Sequence, residues 1–303
     1  MRVDPFYTSG LATSLDQAQL NEQRLSAELA SGVRVNTLSE DSAAAGENVL
    51  LLNQIQQDDS FTQTSNLVQG QLQVADSALG SVVSQLTQAI TLATSANNGT
   101  LNSSNLQSIS NQIAGIRDEV QSLANTSYQG QYIFAGGKTA AAPFSTSNAA
   151  SPATTSYSGD EDVNYLQTPN GQTIQLNVPG DQIFLGSGTS NVFTALNNLV
   201  ADYAGDSNTG KGVTDAEALN TALNYVSAQR VVLDNSLTRL NAATDAVSSS
   251  QTQLTAAQTN LMQADLPSIS TQLSLAETQQ TALEDVISQL EPQSLFNKLP
   301  EGG

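Results

Sequence analysis

Two long runs of apolar residues, spaced alternately by three and four positions, confine this chain to paired helices. In the first half the run is Val68, Leu72, Ala75, Leu79, Val82, Leu86, Ala89 and Ala93, with Ser65 ahead of it. In the second half it is Leu219, Leu223, Val226, Leu233, Leu237, Leu240, Val247, Leu254 and Leu261. Arg230, Thr244, Gln251 and Gln258 fill the remaining positions of that stripe. A stripe of period 3.5 makes a narrow seam that must be covered by another helix. Polar residues within the seam weaken it but fix its register.

Shorter helical segments flank these runs. Leu11, Leu15, Ala18, Leu25 and Leu29 mark an N-terminal helix for which Ser9 is a candidate cap. Ser31-Gly32 ends it, and residues 33–37 read as extended. Helix resumes after Ser39 or Asp41 and runs to Asn97-Asn98-Gly99, whose turn chemistry stops it. A third stripe follows in Leu106, Ile109, Ile113, Ile116, Val120 and Leu123. Thr214-Asp215-Ala216-Glu217 has the spacing of a capping box for the second long run. The phase slips near Pro267, and Leu266, Ile269, Leu273, Ala276, Leu283, Ile287 and Leu290 form a last stripe before Pro292. An apolar tail, Ser294-Leu295-Phe296-Asn297-Lys298-Leu299, comes after it.

Between residues 136 and 212 the helical period is lost. Val163 and Tyr165 alternate with polar residues as in a half-buried strand. Pro169-Asn170-Gly171 is a hairpin turn, because Asn-Gly suits two positive φ angles. Ile174, Leu176 and Val178 alternate in the returning strand, and Phe193, Leu196, Leu199 and Tyr203 then mark a short helix. The expected fold is therefore mainly α: a long antiparallel coiled-coil bundle of the N- and C-terminal halves, with a small β-containing insertion. The segments are 1–40 and 265–303 at the ends, 41–135 and 213–264 in the bundle, and 136–212 in the insertion. The outer pair, 11–29 with 266–290, is short and diluted by Ala276 and Gln280, so alone it is marginal. This makes Leu11, Leu15, Leu25, Leu29, Leu273, Leu283, Ile287 and Leu290 candidates for an assembly interface.

Composition removes most chemistry. The chain has no cysteine, histidine or tryptophan, so disulfides, zinc sites and most nucleophile–base pairs are excluded. The net charge is −19 with nine basic residues, and these are scattered, which argues against nucleic acid and against an electrostatic membrane anchor. No cleavable secretory signal or membrane span is expected. Gly136-Gly137-Lys138-Thr139 has Tyr132 where a phosphate-binding loop needs its first glycine. Asp160, Asp162 and Asn164 open like a calcium loop, but its sixth and twelfth positions hold Tyr165 and Gly171. Asp58-Asp59 and Glu284-Asp285 are adjacent on helices and do not face each other. No catalytic residue, cofactor or metal is expected.

Leu29-Ala30-Ser31-Gly32-Val33-Arg34-Val35-Asn36, followed by Ser39-Glu40-Asp41, resembles the N-terminal signature of the flagellin superfamily. Leu123-Ala124-Asn125 and Gly130-Gln131-Tyr132-Ile133-Phe134-Ala135-Gly136-Gly137 resemble the hook–filament junction branch of that family. Pro143-Phe144, Tyr157-Ser158-Gly159-Asp160 and Pro179-Gly180-Asp181-Gln182-Ile183-Phe184 are similar to its insertion, and the tail to its C-terminal end. The resemblance implies a structural, non-enzymatic subunit outside the bacterial cell, exported by the flagellar type III system. It implies as partners hook-associated protein 1, flagellin, further copies of itself in a ring, and an export chaperone at the C-terminal helix. It adds Arg34, Asn36, Leu295, Phe296 and Leu299 to the candidate interface. A flagellin that forms the filament itself is the alternative, followed by a non-flagellar coiled-coil adhesin or fibre.

Overall fold

The computed structural model describes residues 5–97, 101–186, 190–204 and 211–290. Helices α1 (Pro5–Ser31), α2 (Ser42–Ala96) and α3 (Ser103–Ala124) come first. Three hairpins follow: β1 (Ser127–Tyr128) with β2 (Gln131–Tyr132), β3 (Phe144–Ser147) with β4 (Thr154–Tyr157), and β5 (Tyr165–Gln167) with β6 (Thr173–Gln175). One π-helical turn (Asp181–Leu185), α4 (Val192–Ala204), α5 (Lys211–Met262) and α6 (Leu266–Leu290) complete the chain. It forms two compact units, Met1–Gln56 with Ser250–Gly303, and Gln57–Ser249; α2 and α5 contribute to both.

The unit Gln57–Ser249 holds the main core. The α2 stripe from Ser65 to Ala93 is buried at every position named from the heptad. On α5, Leu219, Val226, Leu233, Leu240 and Val247 are buried in the same phase, and on α3 so are Leu106, Ile109, Ile113, Ile116 and Val120. Gln69 donates to Asn241 Oδ1 at 3.0 Å, and Arg230 donates to both Asp76 oxygens at 2.5 and 3.0 Å, so α2 and α5 run antiparallel. Arg230 is one of the polar residues in the α5 stripe. Gly80 lies opposite it, with the guanidinium carbon 3.5 Å from where a Cβ would stand, an ordinary contact distance. Helix α4 is tied to α3 by Ser110 Oγ donating to Val200 O at 2.7 Å, and to α2 by Tyr203 Oη donating to Ala93 O at 3.2 Å.

The Arg230 hydrogen bond and charge hold the Asp76 carboxyl below the usual carboxylate range. A depressed folded-state pKa adds stability above the unfolded value, near 3.9, and that stability is lost as pH falls through the folded value. Both side chains are partly exposed, at 25% for Asp76 and 38% for Arg230, so the contribution is small. Asp76→Asn is expected to cost about 0.5 kcal/mol at pH 7 and nothing once the pH has fallen through the folded-state value. Melting curves of both proteins across that range should converge; a constant gap would sink the account.

The insertion packs around five rings. Phe144 lies 5.3 Å from Phe184 and 5.2 Å from Phe193, Phe134 lies 5.6 Å from Phe184, and Tyr157 lies 5.0 Å from Phe144, between centroids. Burial, with Asp181 nearby, pushes the Tyr157 phenol up to about 12, so it stays a donor, within 3.0 Å of Phe134 O and 2.9 Å of Asp160 O.

Several local expectations change. Ser9 is not a cap: α1 is already helical at Pro5, where the fixed φ of proline suits a first turn. Thr214 is not a cap either, because α5 begins at Lys211. Its first turn closes on α4, so tightly that a Cβ on Gly212 would lie 2.8 Å from Tyr203 Oη. Asn170 does not take a positive φ; of the pair only Gly171 does, at 84°. The loop is instead a turn closed by Gly171 N donating to Thr168 O at 2.9 Å, with the left-handed glycine last. The two-residue turn with both φ positive is Gln129-Gly130, at 51° and 80°, which joins β1 to β2. Tyr165 faces outward and is 62% exposed, while Leu166 is inward. Leu166 stands opposite Ile174, which is 1% exposed, and directly opposed residues share a face.

Candidate functional site

The unit Met1–Gln56 with Ser250–Gly303 carries the candidate interface. Its fixed point is where the chain leaves α1. Gly32, at φ 67°, ends the helix in the left-handed conformation that glycine adopts without steric cost. Val33 then forms an antiparallel bridge with Gln263. Arg34 N donates to Met262 O at 2.7 Å, and Ala264 N to Gly32 O at 3.0 Å. The break between α5 and α6 is therefore paired with the break between α1 and α2. The slip read at Pro267 is this break.

The signature residues hold that crossing together. The Arg34 guanidinium donates to Leu261 O at 3.2 Å, satisfying a terminal carbonyl of α5, and to Asp41 Oδ2 at 3.3 Å. Asp41 Oδ1 accepts from Ala44 N at 2.9 Å and so caps α2. Glu40 accepts from the amides of Asn36 and Thr37 at 2.7 and 3.0 Å, and Asn36 Nδ2 donates to Val33 O at 3.2 Å. Amide donation from Thr37 and Asn36 lowers the Glu40 carboxyl below its usual range, and the Ala44 amide does the same for Asp41. Both acids stay ionised at neutral pH, as their acceptor roles require.

Beyond the crossing, α1 and α6 pair antiparallel with a thin core: Leu25, Ala264, Ile269 and Ala276 are buried, and Leu273 packs beside them. Leu11, Leu15, Leu283 and Ile287 are only half-buried. Leu29 leaves the seam and is 36% exposed, whereas Glu28 enters it at 4%, ion-paired with Arg24. Arg34 and Asn36 are exposed. Leu290 ends α6, and Leu295, Phe296 and Leu299 lie outside the described residues.

Other exposed apolar side chains in this unit carry no heptad signal. Leu38 is 70% exposed, and in Val49-Leu50-Leu51-Leu52 the first two are 55% and 71% exposed. The sign in the sequence is that this run is apolar all round the helix, which implies cover on every side.

The run from Gly130 to Gly137 has a different role. Ile133, Phe134 and Ala135 are buried beneath the insertion. Phe134 O accepts from Gly180 N at 2.8 Å, and Ala135 O accepts from Asp160 N at 3.1 Å. Gly136 has φ 67°, and a Cβ there would lie 2.3 Å from Asp160 O, so this position admits glycine alone. Asp160 Oδ1 receives the amides of Gly137 and Asp162, which spends the acidic turn internally. Among the described residues no cluster of three metal-ligating side chains occurs. No described helix is long and apolar enough to cross a membrane.

The profile of the bacterial flagellin N-terminal helical region matches residues 7–139. The chain is 32% identical over 180 residues to flagellar hook-associated protein 3 of Salmonella typhimurium, a match covering 59% of this chain and 55% of that protein. It is 28% identical over 249 residues to flagellar hook-associated protein 3 of Escherichia coli, covering 75% and 76% respectively. The solved flagellar hook-associated protein of Vibrio parahaemolyticus superposes with a TM-score of 0.67 at 19% identity, over 74% of this chain and 100% of that one, which shows a shared fold. The chain is thus similar to the flagellin N-terminal helical region over residues 7–139, a stretch that holds the crossing residues 32–41 and the run 130–137, and to flagellar hook-associated protein 3 over a larger part of its length.

Proposed function

We propose that this chain is a structural subunit of the bacterial flagellum that joins the hook to the flagellin filament. The observation that carries the reading is the thin α1–α6 core: two paired helices that bury three apolar residues, Leu25, Ile269 and Ala276, beside Ala264 of the crossing, and leave the rest of their stripe half open. Such a pair gains most of its stability by packing against neighbours. The similarity to hook-associated protein 3 supports placing those neighbours in the hook–filament junction. On this reading Leu11, Leu15, Leu25, Leu29, Arg34, Asn36, Leu273, Leu283, Ile287, Leu290, Leu295, Phe296 and Leu299 serve the assembled interface. Leu25 and Arg34 act indirectly, by holding α1 and the crossing in place.

The partners in this proposal are hook-associated protein 1 on one side, flagellin on the other, and copies of the same chain around the ring. An export chaperone holds the C-terminal helix before secretion through the type III channel. The segments 1–40 and 265–303 then form the assembly layer, and 136–212 faces outward. The role is mechanical, not catalytic.

Deleting the gene tests this. The cell should build hooks and release flagellin monomers into the medium, with motility lost and restored by the gene in trans. Filaments that persist on the deletion strain overturn the proposal. Purified protein that polymerises alone into long filaments would assign it to the flagellins instead.

A further inference from the structure

The apolar run near the start of α2 stands open to water. Asn48 and Leu51 are half-buried, and Asn48 Oδ1 accepts from Gln258 Nε2 of α5 at 3.0 Å. Val49, Leu50 and Leu52 between and beside them are 55%, 71% and 40% exposed. They form a ridge that spans about 5 Å of helix. Exposed apolar side chains grouped in this way mark a surface that another molecule covers.

A receiver of matching chemistry lies on α5. Gln251, Thr252, Thr255, Ala256, Thr259 and Asn260 line an open groove of about 550 Å³ along one side of that helix. A cavity of about 150 Å³ encloses a benzene ring, so this groove has room for the ridge's three aliphatic side chains. Its length, about 14 Å of helix, exceeds that of the ridge. The Asn48–Gln258 hydrogen bond sets the two features at one height, with the ridge level with the middle of the groove. Within one chain the ridge stays out of the groove, as its exposure shows.

Charge selects a second copy as the occupant. The chain carries a net charge of −19, and charge of one sign keeps identical molecules apart. Residues 48–57 and 246–264 contain no charged side chain, so ridge and groove are places where two copies meet without bringing like charges together. A contact between unlike surfaces of identical chains repeats from one copy to the next. Because its two halves lie at one height, it repeats by rotation, as a ring requires.

We propose that residues 49–52 of one copy seat in the groove along residues 251–260 of the next, in a head-to-tail contact repeated around the junction. The contact rests on the reading of this chain as a ring-forming subunit of that junction. Both surfaces belong to the long helices α2 and α5, so nothing is asked of α1 or α6.

The chain has no cysteine, so introduced thiols report the contact directly. Leu50→Cys with Thr255→Cys places one thiol on the ridge and one in the groove, and Val49→Cys with Thr259→Cys is a second pair should the first fail to assemble. Hook–filament structures sheared from cells that make only the variant are oxidised mildly and run on a non-reducing gel. Either pair should give a ladder of dimers, trimers and higher multiples of this chain. The ladder should form at least about tenfold faster than with Leu50→Cys and Val231→Cys, since thiols bridge only where Cβ atoms come within about 4.5 Å. Each single variant alone should stay monomeric, whereas cells making Leu50→Cys and Thr255→Cys on separate chains should give dimers. Leu50→Asp, at an exposed position, should leave the chain folded and exported but the hooks bare. Dimers from Leu50→Cys alone overturn the inference, because like surfaces then meet. So do crosslinks to a protein of another mass, which would assign the groove to a different partner. Attached filaments with no crosslink from either pair remove the contact and leave the junction role standing. A chain missing from the sheared structures removes the junction role and the contact with it.

Discussion

A strain producing the chain with Leu283→Asp and Ile287→Asp should be non-motile, with hooks that carry no filament. Both side chains lie on the half-buried face of α6, four residues apart on one stripe. Each substitution removes an apolar side chain worth roughly 1.5–3 kcal/mol when fully covered. Each also places a carboxylate in a pair of helices that already holds six acids. In the monomer the loss is modest, because these positions are still partly wet. In an assembled layer, where neighbours exclude water, a buried unpaired charge costs several kcal/mol per subunit. The unit Gln57–Ser249 shares none of this seam. Its melting temperature, followed by tyrosine fluorescence, should move by no more than a degree or two. Six of the seven tyrosines fall within it, Tyr7 being the exception, so the signal reports that unit. Normal motility, or collapse of the tyrosine transition, would refute the division of labour between the two units.

The opposite pattern is expected for Phe184→Ala. Phe184 is 0% exposed and its ring touches those of Phe134, Phe144 and Phe193 at 5.6, 5.3 and 6.0 Å. Truncating a fully enclosed ring removes its transfer energy and leaves a cavity, together about 3–5 kcal/mol. The site has little room to collapse. Gly180 beside it admits no side chain, since a Cβ would lie 2.7 Å from Phe134 O and from Phe144 Cε2. The Phe144 backbone is clamped by Asn125, whose side chain both donates to and accepts from it at 2.9 Å. Urea unfolding read by tyrosine fluorescence should show the midpoint falling with the slope unchanged. Tyr165→Ala, at a position 62% exposed, should shift it by less than about 0.5 kcal/mol. Equal effects at the two positions would mean that the aromatic cluster does not hold the insertion.

Much of the architecture was legible because its signal is periodic. The stripe of α2 from Ser65 to Ala93 buries as read, and the polar members of the α5 stripe sit in phase with the buried ones. Local choices were less legible. The type of the 168–172 turn, the outward face of Tyr165 and the first turn of α5 each depend on a specific contact that the apolar pattern does not encode, with Gln172, Ile174 and Tyr203 respectively. The exchange of Leu29 for Glu28 in the α1 seam had no sequence sign, because a leucine outranks a glutamate in any apolar count. Its cause is the position of α6, to which Glu28, neutralised by Arg24, is the nearer residue.

The sequence by itself determined the helices, their order, the central insertion and the resemblance to the flagellins. Heptad spacing and glycines at positive φ are local constraints that a chain carries wherever it folds. The tertiary structure decided what the signatures are for. Arg34 closes the end of α5, Asp41 caps α2, and Gly136 admits the Asp160 carbonyl. Each of these joins residues whose proximity exists only after the chain has returned on itself. It also decided that the terminal stripes remain half open, since burial depends on how many helices meet at a seam, and that number is not written in the period of any one of them.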